Sequence, residues 1–286
     1  MSTLAVTGST GNVGGRVARL LSAAGVPQRL VVRDPARAPS LDGATVVRAD
    51  YKDAEAARRA LDGVDTLFMV SGSEAADRLD QHRTFIDAAV AAGVGRIVYL
   101  SFYAAAPDAT FTLVRDHWAT EEHIRATGLA HTFIRDNMYA DFMPYMVGED
   151  GVIRGPAGDG RVAAVAQDDI AEVVATVLRQ PGQHDGATYD LTGPQALTLY
   201  EIAATLGPEV RYQPETVEEA YASRAKYGAP AWQVDAWVTT YTAIAAGELA
   251  GVSDTVERLT GHPPLALAEV LRRRSAGGGS ALDNVS

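Results

Sequence analysis

Residues 4–15 read LAVTGSTGNVGG, an apolar run that meets glycines at positions 8, 11, 14 and 15. Turning a corner requires fewer. Between a strand and a helix, Gly8 permits the tight turn, Gly11 admits a pyrophosphate without a Cβ in the way, and Gly14 lets the helix pack close to the strand. The anion then lies on the helix N-terminus, where free N–H groups and the dipole favour it. No Gly-Lys-Ser/Thr follows, so this is not a Walker loop. The chemistry implied is dinucleotide binding.

The second apolar run indicates which dinucleotide. An NAD site places an acidic residue about 20 residues on, where it bonds the ribose 2′-OH. Here the run ends in Arg33, followed by Asp34 and Arg37. Arg33 backed by Arg37 makes a fork for a 2′-phosphate and selects NADP(H). The competing reading leaves both arginines in solvent and gives the ribose to Asp34. Asp50 and Tyr51, after the third run, are placed to flank the adenine. Val70, Ser71 and Gly72 are placed beneath the nicotinamide half, and Ser101 ends the fifth strand on the same side.

For the reaction, the tyrosine–lysine pair of ordinary short-chain dehydrogenases is absent. Lys52 and Lys226 are the only lysines, and neither has a tyrosine four residues before it. His117 is the candidate proton donor, since an imidazole with an ordinary pKa of about 6.5 suits that task. Glu121 lies one helical turn later and is expected to orient it. Tyr103, just past a strand end, and Tyr139, just past the next, are further candidates for catalysis and substrate contact, because sites in such sheets gather at strand C-termini. Asn137 and Phe142 join them as substrate candidates. Each has a plain packing alternative, and for His117 the alternative is contact with cofactor ribose. The remaining histidines, at 82, 123, 131, 184 and 262, have no ligand spacing, so no metal site is expected.

These residues must be positioned by elements that alternate. Apolar runs at 4–6, 30–32, 46–47, 66–70, 97–101 and 132–134 read as strands. Helical patterns at 54–61, 77–92 and 111–127 lie among them, and a stripe from Val13 to Ala24 follows the glycine loop. Apolar strands alternating with helices predict a doubly wound α/β fold, a parallel (Rossmann) sheet covered on both faces. After about residue 140 the rhythm changes. Glycines crowd 148–160 and suggest one hairpin; Asp168 and Asp169 read as the cap of a helix at 170–178. A strand at 189–191 and helices at 199–206, within 215–250 and at 265–273 follow. The domains are therefore 1–147, dinucleotide-binding, and 148–274, smaller and mostly helical, some of whose segments can return to the sheet. Residues 275–286, SAGGGSALDNVS, read as a flexible tail.

Composition narrows the partners. The chain has 286 residues, no cysteine and a formal net charge of −11. Such a surface repels phosphate backbones and anionic lipid, so neither nucleic acid nor membrane is an expected partner. Without cysteine there is no disulfide and no thiolate nucleophile. Lacking an export signal or a membrane-length apolar stretch, the chain is expected to be cytoplasmic, a monomer or a homodimer.

The segments TGSTGNVGG, VVRDPARA, ADYKD, LDGVDTLFMVSGSE, QHRTFIDAAVAAGVGRIVYLS, DHWATEEHIRATGLAHTFIRDNMYADF and LTGHPPLALAEVL together resemble the NmrA-like atypical short-chain dehydrogenases. The resemblance runs in matching order over roughly residues 4–272 and leans toward type-2 NAD(P)H:quinone oxidoreductases and triphenylmethane reductase. It implies that Gly8, Thr10, Gly11, Asn12, Val13 and Gly14 form the phosphate loop, that Arg33 meets the 2′-phosphate, and that substrate binds between the two domains. Isoflavone-reductase-like relatives carry a lysine where this chain has His117, as the quinone-reductase branch also does. The expected activity is hydride transfer from NADPH to a quinone or similar electron-poor aromatic acceptor, without flavin or metal. The resemblance leaves open an NADP(H)-sensing regulator and a ketone or imine reductase. One variant tests the dinucleotide assignment. Arg33→Asp should weaken NADPH by about 1.5–3 kcal/mol, the worth of a charge-assisted phosphate contact, and leave NADH unchanged or improved. Titration of both nucleotides into both proteins measures it; equal losses would remove Arg33 as the discriminator.

Overall fold

A computed structural model describes residues 3–276. The first half alternates as the apolar runs predict: β1 (Leu4–Thr7), α1 (Asn12–Ala23), β2 (Gln28–Val32), β3 (Ala44–Arg48), α2 (Ala54–Ala60), β4 (Thr66–Val70), α3 (Arg78–Ala91), β5 (Arg96–Phe102), α4 (Thr112–Ala126) and β6 (Ala130–Asp136). The second half continues with β7 (Val152–Gly155), β8 (Arg161–Val162), α5 (Gln167–Arg179), β9 (Thr188–Leu191), β10 (Leu197–Thr198), α6 (Leu199–Leu206), β11 (Arg211–Pro214), α7 (Val217–Arg224), α8 (Ala231–Ala245), α9 (Thr255–Thr260) and α10 (Leu267–Ala276).

Seven strands form one sheet in the order β3-β2-β1-β4-β5-β6-β9, all parallel. Side chains alternate across it with a period of two residues. Leu4, Val6, Phe68, Val98, Leu100 and Ile134 meet Val13, Val17 and Leu21 of α1 and Ile170 and Val174 of α5 on one face. Ala5, Leu67, Met69, Ile97, Tyr99 and Phe133 meet Ala57, Phe85, Ile86 and Ile124 on the other. Burial on both faces is why the strands read as continuous apolar runs. The chain crosses over between β1 and β4, so the loops after these two strands diverge there and leave a crevice for a ligand.

Segments beyond residue 147 return to the sheet. α5 packs with α1 under the sheet and β9 adds to its edge beside β6, so part of the second half belongs to the nucleotide-binding layer. The rest forms a smaller unit whose core joins Ile153, Val162, Ile202, Tyr212, Ile244 and Leu267. The glycine-rich stretch is not a hairpin: β7 pairs in parallel with β11 and β8 pairs with β10, so each strand finds a distant partner. Asp168 and Asp169 do not cap α5. The cap is Ala166, and the two aspartates lie in the first turn, where they still complement the helix dipole. Ser275 and Ala276 of the expected tail end α10, and the remainder lies outside the described residues.

Gly8 has φ +65°, and a Cβ there would sit 2.9 Å from Cβ of Val70; a Cβ on Gly14 would collide with the Gly8 carbonyl. Gly14→Ala should therefore push α1 off β1, at a cost of about 1–3 kcal/mol for overpacking. Thermal melts with and without NADPH should show a lower Tm and a smaller stabilisation by nucleotide; an unchanged melt would mean the helix can shift freely.

Candidate active site

The phosphate loop is built by three contacts. The Gly11 amide donates to the Gly8 carbonyl at 2.9 Å, Gly14 packs against that same carbonyl, and α1 starts at Asn12. No side chain caps α1, and its first turn holds no acidic residue. Gly11 and Asn12 are exposed, Thr10 is half-buried, and Val13 and Gly14 are buried beneath them. The loop thus presents unpaired backbone N–H groups at a positive helix end with no carboxylate to compete, which fits a dinucleotide pyrophosphate.

At the end of β2, Arg33 and Arg37 are both exposed, while the Asp34 carboxylate accepts from the Ala36 amide at 3.0 Å and caps a short turn. Asp34 is thus engaged by its own turn. The Asp50 carboxylate accepts from the Lys52 amide. Tyr51 is half-buried, stacked on Phe85 at 4.2 Å, and its hydroxyl donates to the Val70 carbonyl at 2.6 Å and meets Thr7 Oγ1 at 2.7 Å. Burial pushes that phenol up, so it stays neutral. Its ring packs against the buried core, and its hydroxyl is a tie between strands.

Val70, Ser71 and Gly72 leave β4 beside Gly8. The Gly72 amide donates to Nε2 of His82 at 2.8 Å, and His82 Nδ1 meets Thr120 Oγ1 at 2.9 Å. Thr120 Oγ1 donates to the Asp116 carbonyl, so His82 Nδ1 carries the proton and Nε2 accepts. Burial, aided by the Arg78 charge, lowers the His82 pKa to about 3. This histidine, which sequence reading left without a role, holds the loop after β4.

A cavity of about 210 Å³ opens at the C-terminal ends of β5 and β6, beside the segment that leads into α3. Its wall includes Glu74 and Arg78 from the approach to α3, Phe102, Phe111 and Val114 around the start of α4, His117, and Asn137, Met138 and Tyr139 after β6. His117 is 6% exposed, and its Nδ1 meets the Tyr99 hydroxyl at 3.1 Å, which leaves Nε2 for a bound molecule. Burial, then the charge on Arg78, holds its pKa well below the ordinary value. Glu121 does not orient it. That carboxylate accepts from Ser101 Oγ at 2.6 Å and from Arg135 at 2.8 and 2.6 Å. Positions 117 and 121 share a helix side, but the stronger partner, a guanidinium on β6, takes the carboxylate. Ser101 is accordingly buried against Glu121 and away from the cavity wall.

Tyr139 lines the cavity, and its hydroxyl donates to buried Asp136 at 3.0 Å. Burial raises the pKa of both. Asn137 also lines it, but its amide group is engaged: Nδ2 donates to the Leu249 carbonyl and Oδ1 accepts from the Met138 amide. Tyr103 does not reach this cavity. Ala104 takes a positive φ of 57°, and the Tyr103 hydroxyl lies against Gly251, so the ring packs into the smaller unit's core. Phe142 is 43% exposed and pairs with Tyr145. Arg78, a wall residue, was legible in the sequence only as one charge among many. A second crevice, of about 230 Å³ around Arg179 and His184, adjoins none of the cofactor loops. Among the described residues no group of three or more His, Asp or Glu side chains could hold a metal, and no helix is long and apolar enough to cross a membrane.

A parallel sheet with this glycine turn defines a dinucleotide-binding protein. Residues 8–181 match the family described as NAD(P)H-binding, and the chain belongs to it. Quinone oxidoreductase 2 of Escherichia coli is 36% identical over 279 residues, 93% of this chain and 96% of the relative. The NAD(P)H azoreductase of Xenophilus azovorans is 34% identical, covering 96% and 99%. The crystal structure of the E. coli NADPH-dependent quinone oxidoreductase complexed with NADPH has a TM-score of 0.85 at 35% identity, covering 94% and 99%. The chain is an NAD(P)H-dependent oxidoreductase with the Rossmann fold and NmrA-like character that its motifs suggested.

The neutral His82 makes stability depend on pH. Its folded pKa lies below the unfolded value of about 6.5, so the unfolded chain binds more protons between the two. Its contribution is complete above about 6.5 and is lost as pH falls from there toward about 3, by up to about 1.4 kcal/mol per pH unit. Denaturant midpoints across that range should fall less steeply for His82→Gln, by the equivalent of one proton. Parallel curves would place the proton uptake elsewhere.

Proposed function

We propose that this protein reduces quinones or related electron-poor aromatic acceptors with NADPH, directly and without flavin or metal. The observation that carries this reading is the His117 wall of the cavity. A ring-sized space lies beyond the ends of β5 and β6, and the imidazole in its wall is held neutral. An apolar cavity of about 150 Å³ already holds benzene, so about 210 Å³ receives one aromatic ring. An acceptor that takes hydride readily needs position and dryness more than a strong protein acid.

NADPH, when bound, supplies the hydride. The chain's own groups do the rest. The α1 N-terminus holds the pyrophosphate, and Arg33 with Arg37 favours the 2′-phosphate form. The His82–Gly72 bond fixes the loop beneath the nicotinamide half. Phe102, Phe111 and Val114 exclude water from the acceptor ring. His117 Nε2 and Tyr139 contact the acceptor or the cofactor ribose. The quinone and azo compounds named for two relatives are acceptors of this class.

Purified protein offered NADPH or NADH with quinones, azo dyes, ketones and imines, read by loss of reduced-nicotinamide absorbance, tests the assignment. Turnover of quinones that is unchanged by added flavin supports it. Tight NADPH binding with no turnover would make the protein a sensor, and a preference for ketones or imines would make it a biosynthetic reductase. His117→Ala should reduce turnover by less than the ~10²-fold usual for loss of a general acid and keep the shape of the pH profile. NADPH affinity should fall with it. A larger loss, with a lost ionisation near neutral pH, would restore His117 as the proton donor.

A further inference from the structure

Arg78 opens α3 and is 5% exposed despite its charge. Its Nε donates to Asp116 Oδ2 at 3.1 Å and its Nη2 to the Leu113 carbonyl at 2.6 Å. These two bonds fix the guanidinium in the wall of the cavity that His117 and Tyr139 share. Nη1 has no partner among the described residues. The charges near it are few. Asp116 offsets part of the cation, Glu74 is exposed one turn earlier, and His82, His117 and the Tyr99 phenol are kept uncharged by burial. A desolvated guanidinium with a donor to spare attracts an anion far more strongly than one in water.

We propose that Arg78 holds the negative charge that an acceptor develops on its oxygen as it takes hydride, and that the cavity thereby selects acceptors whose reduced form is an oxyanion. This rests on the reading above that the cavity receives the acceptor. A quinone that gains hydride, one proton with two electrons, becomes a hydroquinone monoanion while NADPH is oxidised to NADP+. Water then supplies the second proton. A preorganised cation aimed at developing charge is worth more than an acid when the step before protonation is the difficult one. The same cation makes an imidazolium at His117 costly, so the wall favours charge on the ligand over charge on the histidine.

The test uses 4-nitrophenol, whose ionised form is read by its visible absorbance, bound to the full chain saturated with NADP+. In the wild type the bound phenol should ionise at least one pH unit below the free phenol, a tenfold preference for phenolate. Arg78→Met should abolish most of that difference, and Arg78→Lys should retain part of it. Asp116→Asn keeps an acceptor for Nε but removes the offsetting charge, so it should enlarge the difference. This opposite sign separates an electrostatic role from scaffolding and stands even where Arg78→Met fails to fold. Binding with no shift in ionisation, or Asp116→Asn reducing the shift, would overturn the role of Arg78 and leave the quinone reading intact. Failure of the phenol to bind at all would overturn both.

Discussion

Thr7 is the joint on which the site depends. Its hydroxyl accepts from the Val70 amide at 2.9 Å, reaches the Phe68 carbonyl at 3.3 Å and meets the Tyr51 hydroxyl at 2.7 Å. One buried side chain therefore ties β1 to β4 and to Tyr51, three residues beyond β3. The glycine turn begins at the next residue, and its first glycine lies against Val70, where a Cβ would sit 2.9 Å from that of the valine. The glycine turn and the loop after β4 are thus two parts of one construction, in which the missing Cβ of Gly8 leaves room for the side chain of Val70.

Electrostatics are arranged around the same construction by keeping most titratable groups neutral. His82, His117, Tyr99 and Tyr139 all sit in low dielectric, where the charged form of each is disfavoured. Charge is retained where it is paired, as Arg135 is by its bonds to Glu121. Arg78 lies between these cases, buried yet only partly paired. That leaves one buried cation facing a cavity whose other charged wall residue, Glu74, is exposed, and whose remaining wall is rings, aliphatic side chains and neutral polar groups, a setting suited to a reaction that moves negative charge onto its substrate.

Much of this was legible in the sequence. Local patterns indicated the strands, the helices and the glycine turn, because burial on both faces of a parallel sheet leaves apolar runs and close strand–helix packing demands glycine at set spacing. The Arg33–Asp34 pair was legible as a choice, and the Asp34 bond to Ala36 is local enough to be read as a turn signal afterwards. The smaller unit was less legible. Its strands are two to four residues long and pair across 35 or more positions, so no local pattern marks their partners.

What the sequence by itself determined is the class of fold, the glycine turn of an NAD(P)H-binding protein and the absence of the lysine chemistry of ordinary short-chain dehydrogenases. Each follows from residue type and short-range spacing. Only the tertiary structure decided which polar side chains face the cavity and in what state. It gave Glu121 to Arg135, turned Tyr103 toward Gly251, left Phe142 at the surface, and brought His82 to Gly72 and Arg78 to His117. The reason is physical. Hydrogen-bond partners and desolvation depend on neighbours that come from other strands and helices, and a residue's charge inside a protein is a property of that shared environment.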